Sequence, residues 1–241
     1  MGKIFISIKN FILDFLFPRF CINCGREGNY LCDDCMTLLE ITDKRYCLCK
    51  RPKVIDAKNL KCKKCQEKEL DGLYFAIFYQ QKILKKLISQ FKYKPFIKEL
   101  AKPLSLLILT HLQLLENRPD FADYILIPIP LNKKRLKWRG FNQAEEIAKE
   151  LSKSLRILLI SDVLIKIKKT LPQIELSKKQ REENIKNAFF IKNREKIKDK
   201  KILLVDDVYT SGSTMEECAK VLKKDQAKEV LGIAIAREFI D

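Results

Sequence analysis

Glycine and proline together account for only 15 of the 241 residues, histidine occurs once and tryptophan once. With 46% hydrophobic residues, a chain this poor in Gly and Pro is not fibrous or low-complexity, but globular with a core to bury. No G-x-x-x-x-G-K-[ST] occurs, which excludes a P-loop, and the lack of any G-x-G-x-x-G argues against a Rossmann dinucleotide site. His111, in Leu109-Thr110-His111-Leu112, has no cysteine or acid pattern around it and reads as a helix residue rather than a catalyst. Trp138 lies among cations, where it could stack a base or simply pack. No apolar run reaches the roughly 18–20 residues of a spanning helix.

No export signal is expected either. Lys9, Asn10 and Asp14 interrupt the apolar run of the first 20 residues, and no small-residue cleavage site follows. Ile4, Ile8, Phe11, Ile12, Phe15 and Leu16 recur instead at helical spacing, so residues 1–20 are expected to form an amphipathic helix docked on its own domain. A soluble, cytoplasmic protein with no membrane span is expected.

Acids are outnumbered, 31 Asp and Glu against 48 Lys and Arg, leaving a net charge of +17. Such a field attracts nucleic acid, anionic lipid or phosphorylated metabolites, although solvated lysines with no specific task give the same composition. The length suits one sizeable α/β core plus a small module.

Cysteine, by contrast, is concentrated. Eight of nine fall between residues 21 and 65, as Cys21-x2-Cys24, Cys32-x2-Cys35, Cys47-x-Cys49 and Cys62-x2-Cys65. Thiolates two residues apart on a tight turn can converge on one tetrahedral Zn²⁺, and two such pairs close a structural site with no open position for substrate. Disulfides are the alternative, but they need an oxidising compartment. The first four cysteines form the stronger site. The single-residue spacing of Cys47 and Cys49 makes a second site with Cys62 and Cys65 less regular, and alternate pairs could also cross-brace. Bound Zn²⁺ would supply on the order of 10 kcal/mol to a module too small to fold on apolar burial alone.

After Gly72 the pattern becomes one of alternating strands and helices. Strands are expected at Leu73 to Tyr79, Tyr124 to Ile129, Val163 to Ile165, Ile202 to Val205 and Val230 to Ala236. Helices are expected from Ile83 to Phe91, from Ile97 to Leu115 with a break at Pro103, from Gln143 to Leu155 and from Thr214 to Lys223. This alternation describes an α/β fold, a mostly parallel sheet with helices on both faces, whose ligands bind at the carboxyl ends of the strands. Cys218 reads as core.

One strand end stands out. Ile202-Leu203-Leu204-Val205 runs into Asp206-Asp207-Val208-Tyr209-Thr210-Ser211-Gly212-Ser213-Thr214, and a helix follows. Gly212 allows close backbone approach, while successive N–H groups and the helix dipole can cradle a phosphate, with the hydroxyls of Thr210, Ser211, Ser213 and Thr214 as further donors. Two adjacent carboxylates beside an anion need another task, and holding ribose hydroxyls with a cation nearby is one. Ser213 with Glu216 is also a capping box that could do no more than start the helix.

This stretch resembles the binding motif for 5-phosphoribosyl 1-pyrophosphate (PRPP) of the type I phosphoribosyltransferases. The resemblance implies that Asp206 and Asp207 hold the ribose hydroxyls and take the catalytic place, that residues 208–214 hold the 5′-phosphate, and that Mg²⁺ accompanies PRPP. Ile127-Pro128-Ile129-Pro130-Leu131, Arg139-Gly140-Phe141-Asn142-Gln143, and then Thr170, Gln173, Leu176, Arg181, Asn184, Ala188 and Phe189, with the cysteine module in front, resemble the ComF/GntX family of competence-associated proteins. The single-residue Cys47–Cys49 spacing departs from that pattern. The expected organisation is a helix over 1–20, a zinc module over 21–70 and a phosphoribosyltransferase-type domain over 71–241.

Lys133, Lys134, Arg135, Lys137 and Arg139 follow the strand end at Ile129 with no acid among them, so a pyrophosphate could sit at Pro130, Leu131, Lys133, Arg139, Asn142 and Gln143. Asn142 with Glu145 could instead only cap the next helix. Residues 161–201 hold 13 Lys and Arg against six acids, where a lid or a solvated basic loop would lie, making Thr170, Gln173, Arg181 and Asn184 candidates for the site. Two functions are expected from the resemblance. One is a PRPP-binding protein handling single-stranded DNA during its uptake by a competent cell, with competence-machinery proteins as partners. The other is an active phosphoribosyltransferase of unknown acceptor.

Overall fold

The computed structural model describes residues 18–56, 59–167 and 185–239. Most of the expected N-terminal helix, and Thr170, Gln173, Arg181 and Asn184, lie outside the described residues. The cysteine-rich segment holds a short helix α1 (Asp33–Thr37) and a two-stranded ribbon of β1 (Arg45–Tyr46) and β2 (Val54–Ile55). Then come β3 (Gly72–Phe78), α2 (Lys82–Lys92), α3 (Ala101–Leu114), β4 (Tyr124–Pro128), α4 (Lys133–Arg139), α5 (Gln143–Leu155) and β5 (Leu158–Leu159). The chain continues through β6 (Leu164–Lys166), β7 (Phe189–Ile191), β8 (Lys201–Tyr209), α6 (Ser213–Lys224) and β9 (Glu229–Arg237).

Five strands form an all-parallel sheet in the order β3-β9-β8-β4-β5. Side chains alternate along each strand, so both faces are apolar and both are covered. Leu126, Leu203, Val205, Leu231 and Ile233 face Leu84 and Leu87 of α2, Leu104 and Ile108 of α3, and Ile147 and Leu151 of α5. Ile127, Ile202, Leu204, Val230 and Ala234 face Met215, Cys218 and Leu222 of α6. Each fully buried Leu or Ile contributes about 1.5–3 kcal/mol of burial free energy. Cys218 is core, as expected.

The cysteine segment takes part in both layers. Cys21, Leu31, Cys32, Cys35 and Leu39 join the α2/α3 side, whereas Cys47, Leu48, Cys65 and Leu70 join the α6 side. His111, buried in α3, places Nδ1 2.6 Å from the Thr42 carbonyl and so holds the loop between the two sides, and burial lowers its pKa.

Two expectations are corrected. Pro103 does not break its helix: it is the third residue of α3, in the first turn, where its missing N–H removes no intrahelical bond. The strand near Val163 is not in the sheet; β6 pairs antiparallel with β7 as a separate ribbon, Leu164 opposite Ile191.

Candidate functional site

β8 is longer than its apolar core and carries Asp206, Asp207, Val208 and Tyr209 in register with β9, Asp206 opposite Ala234 and Tyr209 opposite Arg237. Sheet pairing therefore fixes the acid pair at the carboxyl end of the sheet. Thr210–Gly212 then turn directly into α6, with Gly212 at the N-cap position and φ +79°. A side chain there is excluded twice, by backbone conformation and because a Cβ would fall 2.2 Å from Tyr209 Oη. Tyr209 is buried, which pushes its phenol up to about 12. The Ser211 and Ser213 hydroxyls lie 2.8 Å apart. A small pocket is lined by Asp206, Thr210, Gly212 and Thr214 on one side of this loop.

The two acids differ. Asp207 is buried and its Oδ1 lies 2.7 Å from Lys92 Nζ, from the last residue of α2. Burial, opposed and overcome by Asp207, leaves the Lys92 ammonium above its ordinary range. Asp206 accepts its neighbour's N–H, from Asp207, at 2.8 Å. Burial first, then the Asp207 charge, push the Asp206 carboxyl up to about 7, against the pull of Lys92 and Lys166. Lys92 and Lys166 were not legible in the sequence: they come from a helix end and a ribbon strand with no spacing that relates them to residue 206.

Beside the acids, α4 carries the basic run. Asn132 caps it, accepting from Arg135 N at 2.8 Å, and no residue of α4 is buried. Arg139 donates to Gln143, whose amide donates to the Phe91 carbonyl at 3.2 Å. Arg139 Nε is buried and has no partner among the described residues. Burial lowers the Arg139 pKa, partly offset by the charge of Asp207. Pro130 and Leu131 are half-buried between β4 and α4, and Lys133 is exposed. Arg139 thus lies within reach of the Asp207 charge, while Asn142 and Gln143 fasten the chain leaving β4 and the end of α2 to α5.

Neither proposed cap forms as drawn from the sequence. Asn142 occupies the N-cap of α5, but its amide donates to the Ile129 carbonyl at 3.0 Å, tying the strand end to the helix. Ser213 is already helical, and the Glu216 carboxylate accepts instead from the Glu69 and Leu70 amides, at 2.6 and 3.4 Å. A long-range tether has displaced a local cap because those two amides, leaving the cysteine segment, need a buried acceptor.

The eight clustered cysteines form two sets in chain order, Cys21, Cys24, Cys32 and Cys35, and Cys47, Cys49, Cys62 and Cys65, each with its sulfurs within 4.8 Å of one another. Neither is cross-braced. Sulfur separations of 3.5 Å (Cys24–Cys32), 3.4 Å (Cys49–Cys62) and 3.7 Å (Cys62–Cys65) are far beyond a disulfide. They approach the roughly 3.8 Å that a tetrahedral ion with 2.3 Å metal–sulfur bonds requires. Amides support the sulfurs: Asn23 Nδ2 to Cys35, Lys53 N to Cys47 and Cys62 N to Cys65, each at 3.3 Å. Both sets could therefore hold a metal ion of zinc type.

Comparison with known proteins bears on this arrangement. Residues 138–237 match the phosphoribosyl transferase domain model. Competence protein ComFC of Streptococcus pneumoniae is 29% identical over 220 residues, covering 88% of this chain and 89% of that one. Competence protein F of Haemophilus influenzae is 37% identical over 113 residues. These relatives, together with the domain match, support the ComF family. The fold is a type I phosphoribosyltransferase-like parallel sheet with an N-terminal cysteine module. DNA utilization protein YhgH of Escherichia coli, a further relative, is 33% identical over 150 residues. The matches span 49% of the Haemophilus protein and 64% of the Escherichia coli one. No helix among the described residues is long and apolar enough to cross a membrane.

Proposed function

We propose that the chain binds a phosphoribosyl ligand such as PRPP, with Mg²⁺, at the β8–α6 junction and acts in DNA uptake, handling incoming single-stranded DNA. The observation that carries the ligand reading is the juxtaposition, on one strand end, of Asp206 and Asp207 with a positive-φ glycine turn that opens a helix. Main-chain N–H groups of residues 210–214 would take the 5′-phosphate and Asp206 the ribose hydroxyls. Arg139, whose Nε has no partner among the described residues, would meet the pyrophosphate. Thr170, Gln173, Arg181 and Asn184 stay proposals for a cover over the ligand.

The DNA reading rests on the names of the relatives and on charge. α4 presents Lys133, Lys134 and Lys137 with an exposed Trp138, cations and an aromatic side by side as single strands require. In the same proposal, Zn²⁺ in both cysteine sets is structural, and competence proteins are partners in a cytoplasmic setting.

Calorimetry with PRPP and Mg²⁺ tests the ligand reading. The protein should bind, and Asp206→Asn should lose most of that affinity; binding unaffected by the substitution would remove Asp206 from the site. Pyrophosphate release in the presence of acceptors distinguishes turnover from binding alone. In turnover an acceptor nucleophile bonds to the anomeric carbon as its bond to pyrophosphate breaks, and the protein contributes positioning and electrostatic stabilisation.

A further inference from the structure

Arg237, the last residue of β9, is 1% exposed, and no carboxylate pairs with it among the described residues. Its Nη1 donates to the Cys47 carbonyl at 2.7 Å and its Nη2 to the Cys49 carbonyl. Its guanidinium lies over two rings, Tyr209 at 5.3 Å and Phe75 at 5.7 Å. A buried cation satisfied only by neutral dipoles and ring faces is costly. Four thiolates around one divalent cation carry a net double negative charge, so a metal-loaded second cysteine set supplies the missing counter-charge, which neutral thiols would not.

The same guanidinium reaches the phosphate loop. Tyr209 lies beneath it, and the hydroxyl end of Tyr209 fills the space that a side chain at Gly212 would need. The Glu238 N–H donates to the Tyr209 carbonyl at 2.9 Å, fastening the two strand ends together. A cleft of about 440 Å³ has Cys49, Lys64 and Cys65 on one wall and Tyr209, Ser211 and Gly212 on the other. Metal set and loop thus face each other across a shared space.

We infer that Arg237 is a positioning residue linking the second cysteine set to the phosphate loop, so that phosphoribosyl binding depends on metal at Cys47, Cys49, Cys62 and Cys65. Metal at Cys21, Cys24, Cys32 and Cys35, on the other face of the sheet, does not enter this link. The inference rests on the phosphoribosyl reading above.

The test uses the full chain, with zinc content from native mass spectrometry and PRPP–Mg²⁺ affinity from calorimetry. Arg237→Gln should release zinc from the second set on the order of 10- to 100-fold more readily, as loss of a partner around a metal site does, and PRPP affinity should fall with it. Arg237→Lys, which restores charge without the two-carbonyl fork, should recover part of both. Cys62→Ser should lose one zinc and bind PRPP at least about tenfold more weakly, whereas Cys24→Ser should lose one zinc and keep its affinity within about twofold. Unchanged zinc retention in Arg237→Gln, or equal weakening by Cys24→Ser and Cys62→Ser, overturns the link. If a variant does not fold, amide exchange at residues 209–213 of the wild-type protein decides: it should rise when a chelator strips the metal and fall on reloading, and constancy refutes the inference. A wild-type protein that ignores PRPP overturns the ligand reading instead, and zinc retention with amide exchange still judges Arg237.

Discussion

Lys92 Nζ lies 2.7 Å from Asp207 Oδ1, so the second acid of the pair is held by a cation from the end of α2 while the first is not. The consequence is a division of labour. Asp207 ties α2 to β8, and Asp206 is the acid available to a ligand. Asp207→Asn should therefore cost stability as well as binding, about 3 kcal/mol, because it leaves a mostly buried ammonium unpaired. Lys92→Met combined with Asp207→Asn should regain part of that loss. Denaturant titration of the four proteins closes the cycle, and additive losses would show that the pair is not coupled.

If the proposed ligand binds here, Asp206 should give its affinity a pH dependence. Its carboxyl is pushed up to about 7 in the folded chain, first by burial and then by Asp207. A ribose hydroxyl or a divalent cation needs the carboxylate, so PRPP–Mg²⁺ affinity should rise from pH 6 to pH 8, with proton release on binding below pH 7. The sign for stability is the reverse: a raised carboxyl favours the protonated folded state, so this group's contribution declines as pH climbs from about 4 through 7. Asp206→Asn should flatten the part of the affinity profile that ligand phosphate titration does not explain. A profile of unchanged shape in that variant would take Asp206 out of the binding site.

Gly212 is the loop's most constrained position. Gly212→Ala imposes a side chain at φ +79° and a Cβ 2.2 Å from Tyr209 Oη, so the loop or the tyrosine must move. The expected cost is about 1–3 kcal/mol of stability, and loss of at least tenfold in PRPP affinity. Wild-type affinity in a folded Gly212→Ala protein would mean that the loop is not the phosphate cradle.

Where the chain repeats a strong period, its elements could be read almost to the residue. The helix expected from Gln143 to Leu155 is α5 with the same ends, because Ala144, Ile147, Ala148 and Leu151 form one apolar face. The strand–acid–loop–helix order around residue 206 was legible for the same reason, and so were both cysteine sets. The odd Cys47–Cys49 spacing makes sense in three dimensions: the one intervening residue, Leu48, is itself a core side chain at 1% exposure. What could not be read are partners from distant sequence. Lys92 at Asp207, Glu69 at Glu216 and Cys47 at Arg237 each depend on how separate elements pack, and no local pattern encodes them.

The Glu216 tether distinguishes a local from a long-range role. If Glu216 capped α6, Glu216→Gln would fray the first turn of that helix. Because its carboxylate accepts from Glu69 and Leu70 instead, the substitution should speed amide exchange at residues 69 and 70 and cost about 1–3 kcal/mol, leaving exchange at residues 216–220 unchanged. Faster exchange confined to α6 would restore the capping reading.

Trp138 tests the nucleic-acid reading, since charge alone attracts any polyanion. It is 54% exposed and packs edge-on against Phe96 with ring centroids 4.8 Å apart, so its position is fixed while much of its ring stays open. A base stacked there should contribute about 1–3 kcal/mol, lost in Trp138→Ala with no change in the salt dependence of binding. Replacing Lys133, Lys134 and Lys137 by Ala should do the converse, lowering the log–log salt slope for single-stranded DNA by about 2 if each meets one phosphate. The two effects are separable because stacking releases no counterions. Binding that is indifferent to both sets of substitutions would place any DNA contact elsewhere on the surface.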